Sequence, residues 1–205
     1  MEKTKVSPWI DRESEYDLFQ LSKDDIRRAL ELRSEFDYDY GTRLRGDSTL
    51  KREWVVGFHF ETADDDDSCW VRFFDWLAAH GETQFYSMPS MNVRCENTGM
   101  DDIIDHFDPP LIAKGNATYE SYIQIRSGLV QILRGGFFIF PLDETGVALN
   151  VNGKYSMFSG PRNLVEYVLG DTVENSWKIL LSPAKIEPEL YWRLNSAISA
   201  YGIQV

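Results

Sequence analysis

Two apolar runs on either side of Asn152-Gly153 constrain this chain more than any other feature. Val147-Ala148-Leu149-Asn150-Val151 and Lys154-Tyr155-Ser156-Met157-Phe158 flank the pair. Asn-Gly is the preferred dipeptide of the type I′ turn between adjacent antiparallel strands, because both central residues need a positive φ. A hairpin there commits the fold to an antiparallel or mixed sheet.

Helical signals frame that hairpin. Ser22 and Asp25 form an S-x-x-D capping box, and Ile26, Ala29, Leu30 and Phe36 recur at helical spacing, which predicts a helix from about Ser22 to Tyr40. Arg43 to Arg52 reads as a polar connector. Trp54, Val56, Phe58 and Phe60 alternate, which predicts a strand over Glu53–Glu61 with these side chains on one face and His59 on the other. Asp67 is the expected N-cap of a helix over Ser68–His80, with Trp70, Phe73, Phe74 and Leu77 as its stripe. Thr83–Met88 reads as a short strand and Met100–Phe107 as one or two helical turns. Glu120–Phe140, rich in Ile, Val, Tyr and Phe, reads as two or three strands. Pro161 opens a helix that Gly170 ends, a last strand is expected near Trp177–Leu181, and a helix over Pro188–Tyr201. With strands clustered in mid-chain, the expected fold class is α+β, a central antiparallel or mixed sheet with helices packed against it. The 205 residues are expected to form a single domain, with 108–115 the only plausible subdivision.

Charge is the first departure from an average composition. Lys plus Arg is 21 and Asp plus Glu is 33, for a formal net charge of −12. Such a chain repels nucleic acid and anionic membrane at long range and attracts basic proteins. The opening residues lead into no apolar run and no window reaches the roughly 20 apolar residues of a membrane span, so a cytoplasmic address is expected. The second departure is the aromatic content of 14%, which core packing absorbs in large part.

The acidity gathers at two places, Asp64, Asp65, Asp66 and Asp67, and Asp101, Asp102 and Asp105. The second spells D-D-x-x-D, which resembles the aspartate-rich motif of prenyl-diphosphate and terpene synthases. Those enzymes are large and all-helical, and no second acidic motif of that kind occurs here. The first run fails as a calcium loop, since its sixth and twelfth positions hold Cys69 and Asp75 rather than Gly and Glu. Neither a metal nor a cofactor is therefore expected. His59, His80 and His106 lack H-E-x-x-H spacing, and Cys69 and Cys95 form no C-x-x-C. Arg43, Arg45, Lys51 and Arg52 are read as a solvated connector rather than a phosphate-binding edge.

These observations rank three functions. The first is a non-enzymatic binding module whose seven clustered aspartates meet a basic protein partner, in concrete form an immunity-type inhibitor of a toxin such as a nuclease. The second is a small enzyme with a scattered site, Mg²⁺-dependent or acid–base, built on Asp101, Asp102, Asp105 and His106. The third is a ligand-binding accessory domain with an aromatic pocket.

Overall fold

The computed structural model describes residues 21–38, 43–60, 67–89, 112–132, 136–151, 155–182 and 199–202. In chain order the elements are α1 (Lys23–Phe36), β1 (Asp37–Tyr38), β2 (Arg43–Leu44), α2 (Gly46–Lys51), β3 (Val55–Phe60), α3 (Ser68–Ala79), β4 (Gln84–Pro89), β5 (Ala113–Asn116), α4 (Tyr119–Ile132), β6 (Phe137–Pro141), β7 (Val147–Val151), β8 (Tyr155–Gly160), α5 (Arg162–Leu169), α6 (Val173–Leu180) and a 3-10 turn (Ser199–Tyr201). Six strands form one sheet in the order β3-β8-β7-β6-β4-β5, antiparallel throughout, and β1 and β2 pair as a small ribbon. The fold is α+β, as the hairpin and the clustered strands imply. Strands β7 and β8 pair from Val147↔Ser159 to Val151↔Tyr155. That register leaves 152–154 between the last partners, and these residues lie outside the described ones.

The period of two along each strand divides the core into two layers. One face presents Val56, Phe58, Tyr155, Met157, Leu149 and Phe138 to Leu32 and Phe36 of α1, to Trp177 and Leu180 of α6, and to Tyr201. The opposite face presents Phe85, Phe137, Ile139, Ala148 and Phe158 to Trp70, Phe74 and Leu77 of α3, Tyr122 and Ile125 of α4, and Leu164 and Val168 of α5. Burial on both faces explains why β6, Phe-Phe-Ile-Phe-Pro, carries no polar side chain. Gly57 matters here, because a Cβ at that position would run into Val165 and Leu169 of α5. Gly170, at φ +68°, supplies the left-handed residue that ends α5.

The predicted α1 and α3 stand, with Ser22 and Asp25 closing both halves of their capping box. Four expectations need correction. Residues 119–132 are helix rather than strand, and among the described residues of the expected strand region only 137–140 pair in the sheet. Thr118 Oγ1 receives the Ser121 N–H, and Tyr122 and Ile125, three residues apart, turn to the same core. Burial of that stripe overrides the strand preference of its Ile, Val and Tyr residues. Trp177–Leu181 is likewise no strand. It belongs to α6, where Thr172 caps Asn175 N–H and Val173, Ser176, Trp177 and Leu180 are buried at helical spacing. The Arg43–Arg52 connector contains β2 and α2, anchored where Ser48 Oγ donates to Glu35 C=O at 2.6 Å. Finally, α1 stops at Phe36, where the chain turns extended to pair β1 with β2. The helical turns expected over Met100–Phe107 fall outside the described residues, as does the C-terminal helix before Ser199.

Candidate functional site

Four reversals of direction separate β3 from β4 in the sheet, so these strands run the same way and their last residues, Phe60 and Pro89, lie at the same end. The run Asp64–Asp67 follows β3, and the D-D-x-x-D stretch follows β4. The chain therefore leaves the sheet toward both acidic runs from one end, called here the distal end. Asp64, Asp65, Asp66, Asp101, Asp102, Asp105 and His106 lie outside the described residues.

Asp67 is described. It occupies the N-cap position of α3 with a left-handed backbone, φ 55°, and makes no side-chain cap bond. The expected cap is corrected accordingly. Its carboxylate instead accepts Arg126 Nη1 at 3.0 Å and Tyr119 OH at 3.1 Å, tying the start of α3 to α4. The register aligns His59, Ser156, Asn150 and Phe137 across the distal end on the α3 face. Within that row Asn150 Nδ2 donates to Ser156 Oγ at 3.3 Å, and both side chains are buried. Trp70 packs against Phe137 of the row at 6.3 Å, stacked on Tyr122 at 4.6 Å and edge-on to Phe158 at 5.0 Å.

The other described carboxylates are largely committed to the framework. Arg52 bridges Glu35 and Glu144 and lies over Phe36 and Trp54, and Arg28 also pairs with Glu144. Buried Glu82 accepts Asp143 N–H, Thr145 N–H and Thr145 Oγ1, fixing the turn between β6 and β7. Asp25 accepts Lys114 Nζ at 2.7 Å and Tyr86 OH at 2.6 Å. Those two donors, Lys114 first, hold its carboxyl well below the usual carboxylate range. Burial, reinforced by Asp25, pushes the Tyr86 phenol above its ordinary value. On α5, Arg162 binds Glu174 and Glu166, which lowers Glu174 and raises Arg162. Most of the acidic excess of the chain therefore falls in residues outside the described ones, while the described carboxylates act mainly as structural partners.

A groove of about 220 Å³ runs between the outer edge of β3 and α6, lined by Phe58, His59, Phe60, Leu169, Asp171, Ser176, Ile179 and Leu180. It contains a serine, a histidine and an aspartate, but they are not wired as a relay. Ser176 Oγ donates to Val173 C=O at 2.6 Å and receives the Phe58 N–H at 3.3 Å. A hydrolytic serine must present its proton to the imidazole. Asp171 accepts the Thr172 N–H and the Asn175 amide. Cys69 is buried, and its thiol receives Arg72 Nη2 at 3.4 Å, whereas Cys95 is outside the described residues. His80 stacks on Trp76 at 4.0 Å and bonds through Nδ1 to Trp76 C=O. In the basic connector, Arg45 donates to Asp37 C=O and Arg52 is ion-paired. Among the described residues no three of His, Cys, Asp and Glu gather as a metal site. The large aromatics pack mostly on one another inside the two layers.

Sequence reasoning missed the groove altogether. Its only trace in the chain is the helical spacing of Val173, Trp177 and Leu180 behind the Thr172–Asn175 cap. No known protein family, characterised protein or solved structure matches the chain.

Proposed function

We propose that this chain is a binding module that engages a basic protein at the distal end of its sheet, and that it acts there as an immunity-type inhibitor of a toxin such as a nuclease. The observation that carries this reading is topological. Strands β3 and β4 run parallel and end together, so the segments that carry Asp64–Asp67 and Asp101–Asp105 leave the sheet at the same end, while several described carboxylates elsewhere pair with Arg28, Arg52, Lys114 and Arg162. Acidic segments on a framework whose described carboxylates are mostly engaged elsewhere speed the encounter with a cationic surface and orient it. Among the described residues no helix is long and apolar enough to cross a membrane.

The test is capture from native lysate at low and at high salt, using wild-type chain and a variant with Asp64, Asp65, Asp66, Asp101, Asp102 and Asp105 changed to Asn. A basic protein retained by wild type at low salt, and lost both with salt and in the variant, is the expected result. Relief of that protein's toxicity on co-expression identifies the inhibitor. Retention that is indifferent to the six substitutions overturns the reading.

One observation favours a second reading, a small enzyme: His59 lies at the end of the sheet where β3 and β4, the strands that precede the two acidic runs, both finish. Thermal unfolding with millimolar Mg²⁺, Mn²⁺ or Ca²⁺ separates the two, since a metal site gives an upward shift and a protein-docking surface gives none.

A further inference from the structure

Strand β3 is an edge of the sheet, and its main-chain groups alternate in direction. Those of Gly57 and His59 face β8, and those of Val56, Phe58 and Phe60 face outward. An outward row of this kind is a template for another strand unless something covers it. Helix α6 takes two of these groups. Trp177 Nε1 donates to Val56 C=O at 2.7 Å, and Ser176 Oγ receives Phe58 N–H at 3.3 Å. The next outward groups are Phe58 C=O and Phe60 N–H, and among the described residues no hydrogen bond takes them. Phe58 and Phe60 both line the groove between β3 and α6.

Three properties of the groove define its occupant. At about 220 Å³ it is smaller than the roughly 300–1,000 Å³ of sites that enclose a metabolite, and it suits one apolar side chain. Its walls are Phe58, Phe60, Leu169, Ile179 and Leu180, and Ile179 is 41% exposed. Its rim carries Asp171, whose oxygens accept only neutral donors among the described residues, so no ion pair there balances its charge.

We propose that this groove docks a basic partner by strand addition. An extended segment of the partner pairs with Phe58 C=O and Phe60 N–H, sets one apolar side chain between Phe60 and Ile179, and lays a Lys or Arg against Asp171. This rests on the basic-partner reading above and adds the mode of docking to it.

The experiment uses the full chain, isotopically labelled, with an acetylated Lys-Leu-Lys-Leu-Lys peptide as probe. Two control peptides are the same sequence N-methylated at alternate amides and its Glu-Leu-Glu-Leu-Glu counterpart. The lysine peptide at millimolar concentration slows exchange of the Phe60 amide several-fold and shifts the Ile179 and Leu180 signals, and the N-methylated peptide does neither. Ile179→Ser weakens binding several-fold without moving the unfolding midpoint. An unprotected Phe60 amide, or equal binding of the N-methylated peptide, overturns strand addition. If the lysine peptide instead binds only through the acidic segments, and is lost in the six-Asn variant, strand docking falls while the basic-partner reading stands. Equal protection of Phe60 by the glutamate peptide overturns the basic-partner reading and with it the assigned chemistry of the segment.

Discussion

The two edges of the sheet are guarded by different means. Strand β5 is four residues long, carries Gly115 in its middle, and ties its lysine, Lys114, to Asp25 across Tyr86. A short edge with an inward-held charge is a poor template for another strand. Strand β3 is longer and more apolar, and it is guarded by a helix that reaches only part of its outer row. The difference teaches that edge protection here is local chemistry at each exposed group. An edge can therefore be closed at Val56 and open at Phe60.

The largest expected effect comes from removing the guard on β3. Trp177→Ala deletes a fully buried indole and leaves Val56 C=O without its donor. It should lower the unfolding free energy by about 3–5 kcal/mol in chemical denaturation. A loss below about 1 kcal/mol would mean that α6 does not hold the edge.

On the β5 side, Asp25→Asn should cost about 1–2 kcal/mol at neutral pH, since Lys114 loses its counter-charge while an amide oxygen at position 25 still accepts the N–H of the Ser22 cap. The pH dependence follows from the lowered carboxyl of Asp25. A depressed folded value means that its stabilising share is complete above the unfolded-state value of about 3.9. That share is lost as pH falls from there toward the folded value. Wild type and Asp25→Asn should differ by a constant amount near neutrality and converge below about pH 4 in acid titration of the folded signal. Divergence on acidification would contradict the Lys114–Asp25–Tyr86 geometry.

Ser176→Ala should cost only about 1 kcal/mol, because it removes the acceptor of a single N–H in an otherwise intact helix. Hydrogen exchange at the Phe58 amide should rise with it, and an unchanged rate would show that Ser176 is not what protects that group. Smallest of all is Ile179→Ser, expected within about 0.5 kcal/mol of wild type because the side chain is partly exposed. A strong loss of stability there would place Ile179 in the core and remove it as a docking contact.

Legibility differed by element. The stripe Trp70, Phe73, Phe74, Leu77 and the alternation Trp54, Val56, Phe58, Phe60 named the buried faces of α3 and β3 correctly, because local periodicity and the direction of burial agree there. At Glu120–Phe140 and Trp177–Leu181 they conflict. Ile, Val, Tyr and Trp favour strands in isolation, yet Tyr122 and Trp177 are buried as helix residues against a sheet made by other segments. Of the candidate site, Asp67 was named as partner-binding, and its partners Arg126 and Tyr119 lie more than fifty residues away.

What the sequence determined by itself is the antiparallel character of the sheet, the acidity and its two concentrations. Each of these is written in neighbouring residues: the hairpin pattern around Asn152-Gly153, and the runs at Asp64 and Asp101. Only the tertiary structure decided that β3 and β4, the strands that precede the two acidic runs in the chain, end at the same end of the sheet. It alone also decided that Trp177 and Ser176 guard β3, and that the guard stops before Phe60. Those facts depend on strand order and on contacts across more than a hundred residues. Strand order is fixed by the summed burial of two sheet faces, which no local window of the chain contains.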